Sequence, residues 1–309
     1  FLNHAAINPV FNLMYSLTKT DNFASQYQFF DKEETLTIFE DLNKELKSDS
    51  TLHLLNTNRP NILLFIPESF SSDVALDSTI APNMSKMAKE GILFSNFYAN
   101  SFRTDRGLVS IMSSYPAHPT VAIMKYPQKT ESLPTISRTL KDNGYKDMAF
   151  YYGGDADFAN MRSYFVGACG ISDIVSDKDF PLSERLTKWG APDIFLIERV
   201  YADLVGKKQQ EPFFKTVLTL SSHEPFDVPV DKFDEPFLNA IHYTDQCIGN
   251  FIAKLKDSDL WNNTLVIFLA DHATQSYPRE MGNSDSKRFH IPMIWTGGAI
   301  KDSTEIKEF

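Results

Sequence analysis

Residues 61–69 of the chain, NILLFIPES, set its fold class. The stretch opens with a short, continuous apolar run, which is typical of a strand that is buried on both faces. The run ends at Pro67, and Glu68 and Ser69 follow at once, so a carboxylate stands where the strand stops. Strands of this kind occur in parallel sheets that helices cover on both sides.

Predicted helices and strands alternate along the chain after this strand. Proline before and glycine after several helical stretches support their limits. The alternation favours an α/β fold, and we expect a three-layer αβα sandwich with a mostly parallel central sheet. The sequence predicts helices at about residues 83–90, from 104 onward, 135–143, 193–205 and 238–256, and strands at 92–98, 146–152, 213–220, 264–270 and 291–296.

Length and composition fit an ordinary folded protein. The chain has 309 residues, of which 42% are hydrophobic and 23% charged, enough to bury the core of one large domain or two smaller ones. The net charge of -10 argues against broad binding to nucleic acid or to an anionic membrane surface. A local group of positive side chains would still allow an anionic substrate.

The two cysteines, Cys169 and Cys247, do not have the spacing of a metal site or of a CxxC motif. Two separate buried thiols are expected, and a disulfide between them is left open. No run reaches the ~18 apolar residues of a membrane helix. The start of the chain also lacks the pattern of a signal peptide.

The first 58 residues differ from the rest in their pattern of apolar and polar residues. Residues 8–17 are apolar and residues 32–47 form a polar helical pattern, without any strand pattern. We interpret residues 1–58 as a helical arm or linker and residues 59–309 as a catalytic domain. Because the sequence begins without methionine and stops soon after a predicted strand, we expect a fragment that continues beyond residue 309.

Ionisable side chains follow four of the predicted strands. Glu68, Asp155 and His223 each come after one strand, and Asp271 and His272 come after another. Ligands of open α/β sheets bind beyond the carboxyl ends of the strands, so we expect these side chains to share one site. Each alone has an ordinary explanation as a cap, turn or loop residue. The Asp271-His272 pair, directly after a buried strand, is the hardest to explain without a ligand.

The stretch 100–107, NSFRTDRG, places Thr104 between Arg103 and Arg106 at the predicted start of a helix. A helix start and two guanidinium groups suit the oxygens of phosphate or sulfate. By itself such a threonine is most often a helix cap. Next to the polar residues of the sheet edge, it becomes a candidate nucleophile or anion-binding hydroxyl.

Glu68, Asp271 and His272 supply two carboxylates and one imidazole. This mixture suits Mn²⁺ or Zn²⁺ better than Mg²⁺ or Ca²⁺, which prefer oxygen ligands only. Thr104 is a candidate to complete the set. A metal ion on its oxygen would make this weak nucleophile competent at neutral pH.

These residues resemble the alkaline phosphatase superfamily, in particular its sulfatase-like branch, which contains lipoteichoic acid synthases and related phosphoglycerol transferases. The matching motifs follow the order of that family over about residues 60–300. They are Ile66-Pro67-Glu68-Ser69-Phe70, Arg103-Thr104, Gly154-Asp155 followed by Arg162, Ser222-His223-Glu224-Pro225-Phe226, and Leu269-Ala270-Asp271-His272. The resemblance implies the alkaline phosphatase-like fold and an enzymatic activity.

The resemblance also implies a role for individual residues. Thr104 would be the nucleophile that becomes a covalent phosphothreonine. Together with Glu68, Asp271 and His272 it would hold one divalent metal ion, with Mn²⁺ favoured and Zn²⁺ or Mg²⁺ as alternatives. His223 would assist the leaving alkoxide.

Five residues are predicted by the resemblance to contact the substrate. They are Arg103, Asp155, Arg162, His223 and His290, the last of which falls where phosphoethanolamine transferases of the superfamily place a second-site histidine. The alternative for His290 is an ordinary residue at a strand start. The role of Arg106 is left open.

Two positions depart from the pattern of the synthases. Gly153 stands where the synthases carry a histidine, and Ala159-Asn160 stands where they carry a Phe-Trp pair. Both positions belong to head-group recognition in those enzymes. The departures therefore leave the head group open, and glycerol phosphate is not assumed.

The leading hypothesis is a metal-dependent phosphotransferase that takes a phosphoryl group from a phosphodiester, in particular an anionic phospholipid head group of the phosphoglycerol type. A hydroxyl acceptor, or water, then receives the group. One alternative is a sulfatase or phosphodiesterase-type hydrolase of the same superfamily. Sulfatases oxidise a Cys or Ser within a C/S-x-P-x-R pattern to formylglycine, which Thr104 cannot give. A second alternative, an inactive binding domain, fits poorly with the retention of all four metal-site residues.

The resemblance has consequences for partners and location. It implies attachment to the cell membrane through a missing N-terminal segment, and a catalytic domain on the periplasmic or outer surface of a bacterium. No nucleic-acid partner is expected. We expect a monomer for the residues given.

Overall fold

The apolar run NILLFI forms the strand β1, Asn61–Ile66, in the interior of the sheet. A computed structural model describes residues 8–18, 28–42, 52–206, 212–275 and 277–307 of the chain. The other strands within these residues are β2 (Ile92–Tyr98), β3 (Asp147–Tyr152), β4 (Asp173–Val175), β5 (Phe213–Leu218), β6 (Thr264–Leu269), β7 (His290–Thr296) and β8 (Thr304–Ile306).

The strands that the structure describes form one sheet in the order β4-β3-β5-β1-β6-β7-β2-β8. All neighbours pair in parallel except at β7, which runs antiparallel to both β6 and β2. The carboxyl ends of the other strands therefore lie at one edge, and β7 presents its amino end there. This confirms the predicted α/β fold with a mostly parallel sheet.

From β1 onward the helices of the described ranges lie between strands in the chain, as the alternating pattern predicts, and two further helices precede β1. They are α1 (Pro9–Thr18), α2 (Lys32–Leu42), α3 (Pro82–Glu90), α4 (Thr104–Ser113), α5 (Ile136–Asp142), α6 (Asp193–Gly206) and α7 (Pro236–Lys256), with single turns at Ser72–Ala75, Pro127–Thr130 and Met161–Ser163. Their limits agree with the predicted ones to within one or two residues. The last part of the polar helix predicted at 32–47 lies outside the described residues.

The centre of the domain is built around β1. This strand pairs with β5 on one side and with β6 on the other, and Phe65 is fully buried. Its ring packs against Phe268 of β6 and Phe251 of α7, with ring centroids 5.3 and 5.1 Å away. Burial of three aromatic side chains stabilises the contact between the sheet and its longest described helix.

Two strands were not predicted. β4 and β8 each have three residues and lie at the two edges of the sheet, so neither carries the apolar run that marks an interior strand. The expectation for the cysteines is confirmed, since Cys169 and Cys247 are separate buried thiols.

The chain divides into two units, Phe1–Leu52 and His53–Phe309. The first contains α1 and α2, whose apolar side chains are largely exposed within that unit. The second contains the whole described sheet and starts close to the predicted boundary at residue 59, which stays a prediction.

Among the helices of the described ranges, none combines the length and the apolar character that crossing a membrane requires.

Candidate active site

Four side chains from three parts of the chain meet at the carboxyl edge of the sheet. Glu68 follows β1, Asp271 and His272 follow β6, and Thr104 is the first residue of α4. The Thr104 hydroxyl lies 3.0 Å from Glu68 Oε2 and 3.5 Å from His272 Nε2. His272 Nε2 is also 3.3 Å from Glu68 Oε1 and 3.4 Å from Asp271 Oδ2.

Hydrogen bonds to the backbone aim Asp271 and His272 into this cluster. Asp271 Oδ1 accepts from the backbone N–H of Ser69 at 3.2 Å and of His272 at 2.9 Å. Its other oxygen, Oδ2, is buried and has no hydrogen-bond partner in the described part of the chain. His272 Nδ1 donates to the Ala273 carbonyl at 3.2 Å, so Nε2 is the ring nitrogen that faces the cluster.

Glu68 is held in position by the residues that follow β5. Its backbone N–H donates to Thr219 Oγ1 at 2.9 Å, and its backbone carbonyl accepts from Ser222 Oγ at 2.7 Å. The Ser69 hydroxyl donates to Glu68 Oε1 at 2.8 Å. Ser69 has a φ of 61°, a left-handed conformation that is uncommon for serine and that turns the chain directly after the carboxylate.

The start of α4 packs directly against the end of β6. A Cβ atom on Gly107 would lie 2.3 Å from the Asp271 carbonyl oxygen, so only glycine allows this approach. Arg103 precedes the helix in an extended conformation. The close contact brings Thr104, at the beginning of the helix, next to Asp271 and His272.

The charges in the cluster are strongly coupled. Burial disfavours ionised Glu68, but the charge and hydrogen bond of His272, together with smaller contributions from His223 and Ser69, lower the pKa of Glu68 to about 2. Burial and the Glu68 carboxylate raise the pKa of Asp271 to about 7. Burial opposes protonation of His272, yet the two carboxylates raise its pKa to about 10. The two buried carboxylates thus require a positive charge between them.

The donor atoms fit a divalent metal ion. Ligands about 2.1 Å from one ion lie about 3.0 to 3.5 Å from each other, which is the spacing of the cluster. One ligand atom from each of Glu68, Asp271 and His272 lies within 4.8 Å of the others. The unpartnered Asp271 Oδ2 is a free position for such an ion. Two carboxylates and an imidazole suit Mn²⁺ or Zn²⁺.

A cavity of about 580 Å³ opens over the cluster. Its wall includes Thr104, Glu68 and His272, and it also includes Arg103 and His223, which the sequence predicted as substrate contacts. His223 Nδ1 donates to the Glu224 carbonyl at 3.0 Å, so its Nε2 is the nitrogen left for a ligand. The structure therefore brings six of the predicted site residues together.

Three predicted substrate residues lie elsewhere. Asp155 faces a neighbouring cavity of about 390 Å³. Arg162 Nε donates to Asp157 Oδ1 at 2.7 Å and contributes to neither cavity wall. His290 Nε2 donates to the Ser95 carbonyl at 2.7 Å, and its ring packs on a tyrosine of β2. These contacts fit an ordinary residue at a strand start, and its role toward the substrate stays a prediction.

The sequence profile of the sulfatase family matches residues 60–309. The chain belongs to the sulfatase family. This confirms the resemblance that the motifs indicated, and the match covers the described sheet and all residues of the site.

Relatives of this sulfatase-family chain carry the names of transferases and synthases. A lipoteichoic acid synthase-like protein of Bacillus subtilis is 24% identical over 85% of this chain and 44% of its own length. Phosphoglycerol transferase I of Xanthomonas campestris is 26% identical over 69% of this chain and 34% of its own length. The chain thus spans about a third to less than half of these relatives, and it belongs to a family of enzymes.

A solved structure has the same fold. A protein in the alkaline phosphatase superfamily from Vibrio parahaemolyticus superposes with a TM-score of 0.76 and 27% sequence identity, covering 92% of this chain and 72% of that one. The predicted alkaline phosphatase-like architecture is therefore confirmed.

The departures from the synthase pattern have structural reasons in this sulfatase-family chain. A Cβ atom on Gly153 would lie 2.2 Å from the Ala191 carbonyl oxygen, so a histidine does not fit without a backbone shift. Ala159 and its neighbour Asn160 have φ angles of 53° and 65°. Aromatic surface is nevertheless present, because Trp189 lies edge-on to Phe158 on the cavity wall, with ring centroids 5.9 Å apart.

Sequence reasoning missed two further residues of the cavity wall, Tyr152 and Arg288. Burial and the neighbouring carboxylates raise the pKa of Tyr152, so its hydroxyl stays neutral. Tyr152 is the last residue of β3 and belongs to the apolar run itself. Arg288 precedes β7, and finding it required knowing that this strand runs against its neighbours.

Proposed function

We propose that this chain is a metal-dependent phosphotransferase that acts on a phosphodiester through a covalent phosphothreonine at Thr104. The observation that carries the proposal is the position of the Thr104 hydroxyl, 3.0 Å from Glu68 Oε2 and 3.5 Å from His272 Nε2 at the start of a helix. The relatives named as phosphoglycerol transferase and lipoteichoic acid synthase-like support this class of reaction.

Glu68, Asp271, His272 and Thr104 would hold one divalent ion, with Mn²⁺ favoured and Zn²⁺ or Mg²⁺ as alternatives. When bound, the ion supplies positive charge that makes the Thr104 hydroxyl more acidic and offsets the charge on the phosphoryl oxygens. The protein residues set the direction of attack, because the threonine is fixed at the first turn of α4 and opens into the cavity.

In the first half-reaction, the Thr104 hydroxyl, having released its proton to solvent, forms a bond from Oγ to phosphorus while the bond from phosphorus to the leaving alcohol breaks. The leaving oxygen takes up a proton, for which His223 is the candidate on the cavity wall. Since its Nδ1–H donates to the Glu224 carbonyl, His223 would enter this step as an imidazolium and give up the proton on Nε2.

In the second half-reaction, an acceptor hydroxyl attacks the same phosphorus and the Thr104 oxygen leaves without a proton, as it entered. His223 Nε2 then takes the proton of the acceptor, which restores the starting protonation state. Water in the place of the acceptor would give hydrolysis. Arg103, at the cavity wall and before the helix start, is the candidate to contact the phosphoryl oxygens.

Membership of the sulfatase family does not favour sulfate-ester cleavage. Formylglycine forms from the primary side chains of cysteine or serine, whereas Thr104 is a secondary alcohol with a methyl group on its Cβ. The nucleophile must therefore react as a hydroxyl, and a covalent phosphoryl intermediate fits that chemistry.

We further propose a phosphoglycerol-type phospholipid head group as the donor and a hydroxyl acceptor. This substrate class follows from the names of the relatives and from the negative charge that Arg103 would recognise. The same relationship supports a protein held at the cell membrane with this domain on the periplasmic or outer surface.

The experiment is turnover of a chromogenic phosphodiester by the Mn²⁺-loaded protein. We expect Thr104→Ala to lower turnover by at least about 100-fold while the melting temperature stays the same. Thr104→Ser is the matched control, because it keeps the oxygen. Intact-mass analysis after a short reaction should find a phosphoryl adduct in the wild type and none in Thr104→Ala. Unchanged turnover in Thr104→Ala would place the nucleophile elsewhere.

A further inference from the structure

Arg288 is a buried cation on the wall of the cavity that contains Thr104. It lies directly before β7, at the end where that strand enters the edge with the metal-site residues. Only 9% of its surface is exposed. The role of this arginine follows from what surrounds its guanidinium group.

The described contacts of this guanidinium group are with neutral partners. Nη2 donates to Gln275 Oε1 at 3.0 Å, and Nη1 donates to Asn283 Oδ1. The Cζ atom lies 4.6 Å from the centre of the Phe102 ring, two residues before Thr104. Nε is buried without a hydrogen-bond partner among the residues that the structure describes. The group is therefore held in place while its charge stays uncompensated.

Three other arginines of the described residues each lie beside a carboxylate. Arg103 lies 3.4 Å from Asp105, Arg162 lies 2.7 Å from Asp157, and Arg279 lies 2.6 Å from Asp285. No ion pair between described residues includes Arg288. Burial lowers the pKa of Arg288, and the negative charge of Glu280, on the wall of the same cavity, opposes this effect. A buried charge without a partner is costly, so such a residue indicates that a ligand supplies the opposite charge.

We infer that Arg288 binds the anionic oxygens of the phosphoryl group at Thr104. The planar fork of a guanidinium group matches two oxygens of a tetrahedral phosphate, and the two amide contacts orient it without neutralising it. The phosphate as ligand rests on the proposed function, whereas binding of a tetrahedral anion does not.

The competing explanation is structural. Arg288 also joins Gln275 to Asn283, and so it could serve only to hold the loop that precedes β7. The two roles differ in what the loss of the side chain changes. If Arg288 binds an anion, its removal lowers the affinity of the protein for phosphate. If Arg288 only holds the loop, its removal lowers the stability of the protein and affects the metal site through His272, which lies three residues before Gln275.

The test is calorimetric titration of inorganic phosphate into the Mn²⁺-loaded protein, with Mn²⁺ affinity and melting temperature measured for each variant. We expect Arg288→Met to weaken phosphate binding by about ten-fold or more. Arg288→Lys keeps the charge but loses the fork, so an intermediate loss is expected. The matched control is Arg279→Met, which removes an exposed arginine of the same loop and should stay within about two-fold of the wild type.

Wild-type affinity for phosphate in Arg288→Met would overturn the inference, as would an equal loss in Arg279→Met or no phosphate binding by the wild type. Loss of Mn²⁺ affinity together with phosphate affinity would assign the side chain to loop support instead. If Arg288→Met does not fold, the comparison of Arg288→Lys with the wild type decides. The titration measures phosphate binding without turnover. A result that excludes Thr104 as the nucleophile would come from the turnover experiment and is therefore distinguishable from a failure of this inference.

Discussion

Asp271 shows how single residues prepare this site. One of its carboxylate oxygens accepts two backbone N–H groups, and the other is buried without a hydrogen bond from any described residue, 3.4 Å from His272 Nε2. A carboxylate held in this way cannot turn to solvent, so it needs a cation beside it. In the absence of a metal ion, the proton that His272 holds up to a pH of about 10 supplies that charge.

At the residue scale we predict that metal binding competes with protons. His272 must be neutral to offer Nε2 to an ion, but its pKa of about 10 keeps it protonated at neutral pH. Mn²⁺ affinity should therefore rise with pH from 6 to 9, by up to about ten-fold per pH unit for one released proton. Titration calorimetry in two buffers of different ionisation enthalpy counts the protons.

His272→Gln provides the control for this prediction. The variant lacks the imidazole, so any residual Mn²⁺ binding should release fewer protons than in the wild type. Affinity that is independent of pH in the wild type would contradict the proton competition.

The residues that the sequence predicts best are those fixed by strand ends. Glu68, Asp271 and His272 follow buried parallel strands, so their place at one edge is a matter of topology. The position of a residue relative to a strand end does not tell whether Arg162 or Arg288 binds a ligand. Whether an arginine is free to bind a ligand depends on which carboxylate lies beside it, and Asp157 pairs with Arg162 through a local turn that sequence spacing does not specify.

The contact between α4 and β6 is the element-scale feature on which the site depends. We predict that Gly107→Ala destabilises the domain by about 1 to 3 kcal/mol, because the added Cβ would lie 2.3 Å from the Asp271 carbonyl oxygen. Displacement of the helix start also moves Thr104 away from the cluster, so Mn²⁺ affinity should fall as well. Chemical denaturation and metal titration measure the two effects.

Gly206→Ala is the matched control for Gly107→Ala. A Cβ atom on Gly206, at the end of α6, would meet no atom of the described residues within 4 Å. The substitution should leave stability within about 1 kcal/mol of the wild type and leave Mn²⁺ affinity unchanged. Equal behaviour of the two variants would refute the close-contact argument.

Asp193 links three elements behind the cavity. Its side chain accepts from the backbone N–H of Leu220 and Ser221 after β5 and from the Thr244 hydroxyl of α7. We predict that Asp193→Ala costs about 3 kcal/mol, because buried donors lose their acceptor. Turnover should fall less than in Thr104→Ala, since the chain after β5 only positions the adjoining cavity wall.

Glu198→Ala tests whether this cost is specific to Asp193. Glu198 lies on the same helix, and its half-exposed carboxylate pairs with Lys254 at the surface. Loss of that pair should cost less than about 1 kcal/mol in urea denaturation. A comparable cost for both substitutions would mean that Asp193 has no special role.

The element limits were predictable where a long apolar run or a Pro and Gly pair marks them. The helix predicted at 193–205 follows Pro192 and is observed at Asp193–Gly206. The edge strands Asp173–Val175 and Thr304–Ile306 carry no such signal, because each pairs on one side only and is three residues long. The sequence likewise did not predict the direction of β7, because an apolar run has the same pattern whether its strand is parallel or antiparallel to its neighbours.

At the scale of the whole molecule, the described site and sheet belong to the unit His53–Phe309. Its first residues are tied to the sheet region, because Leu55 pairs with Ile300 and the Asn56 N–H donates to the Ala299 carbonyl at 3.0 Å. We predict that a chain starting at His53 keeps the melting temperature and Mn²⁺ affinity of the longer chain. A chain starting at residue 60 lacks these contacts and should melt earlier.

Calorimetry of the two shortened chains against the full one decides this prediction. Loss of Mn²⁺ binding in the chain that starts at His53 would contradict it.

The overall architecture was predictable because alternation of strands and helices leaves few arrangements of a mostly parallel sheet. The boundary between residues 1–58 and the following domain was less predictable, because amphipathic helices alone do not define where a domain begins.

The distances along the chain between the site residues have a consequence for biosynthesis. Glu68 and Thr104 are 36 residues apart, and a further 168 residues separate Thr104 from His272. A chain is made from its amino end, so a growing polypeptide carries the threonine without the aspartate and histidine beside it until 168 further residues have been added. Under the proposed mechanism the Thr104 hydroxyl would therefore stay unreactive until β6 has joined the sheet, and the order of synthesis itself would protect the growing chain from premature phosphorylation.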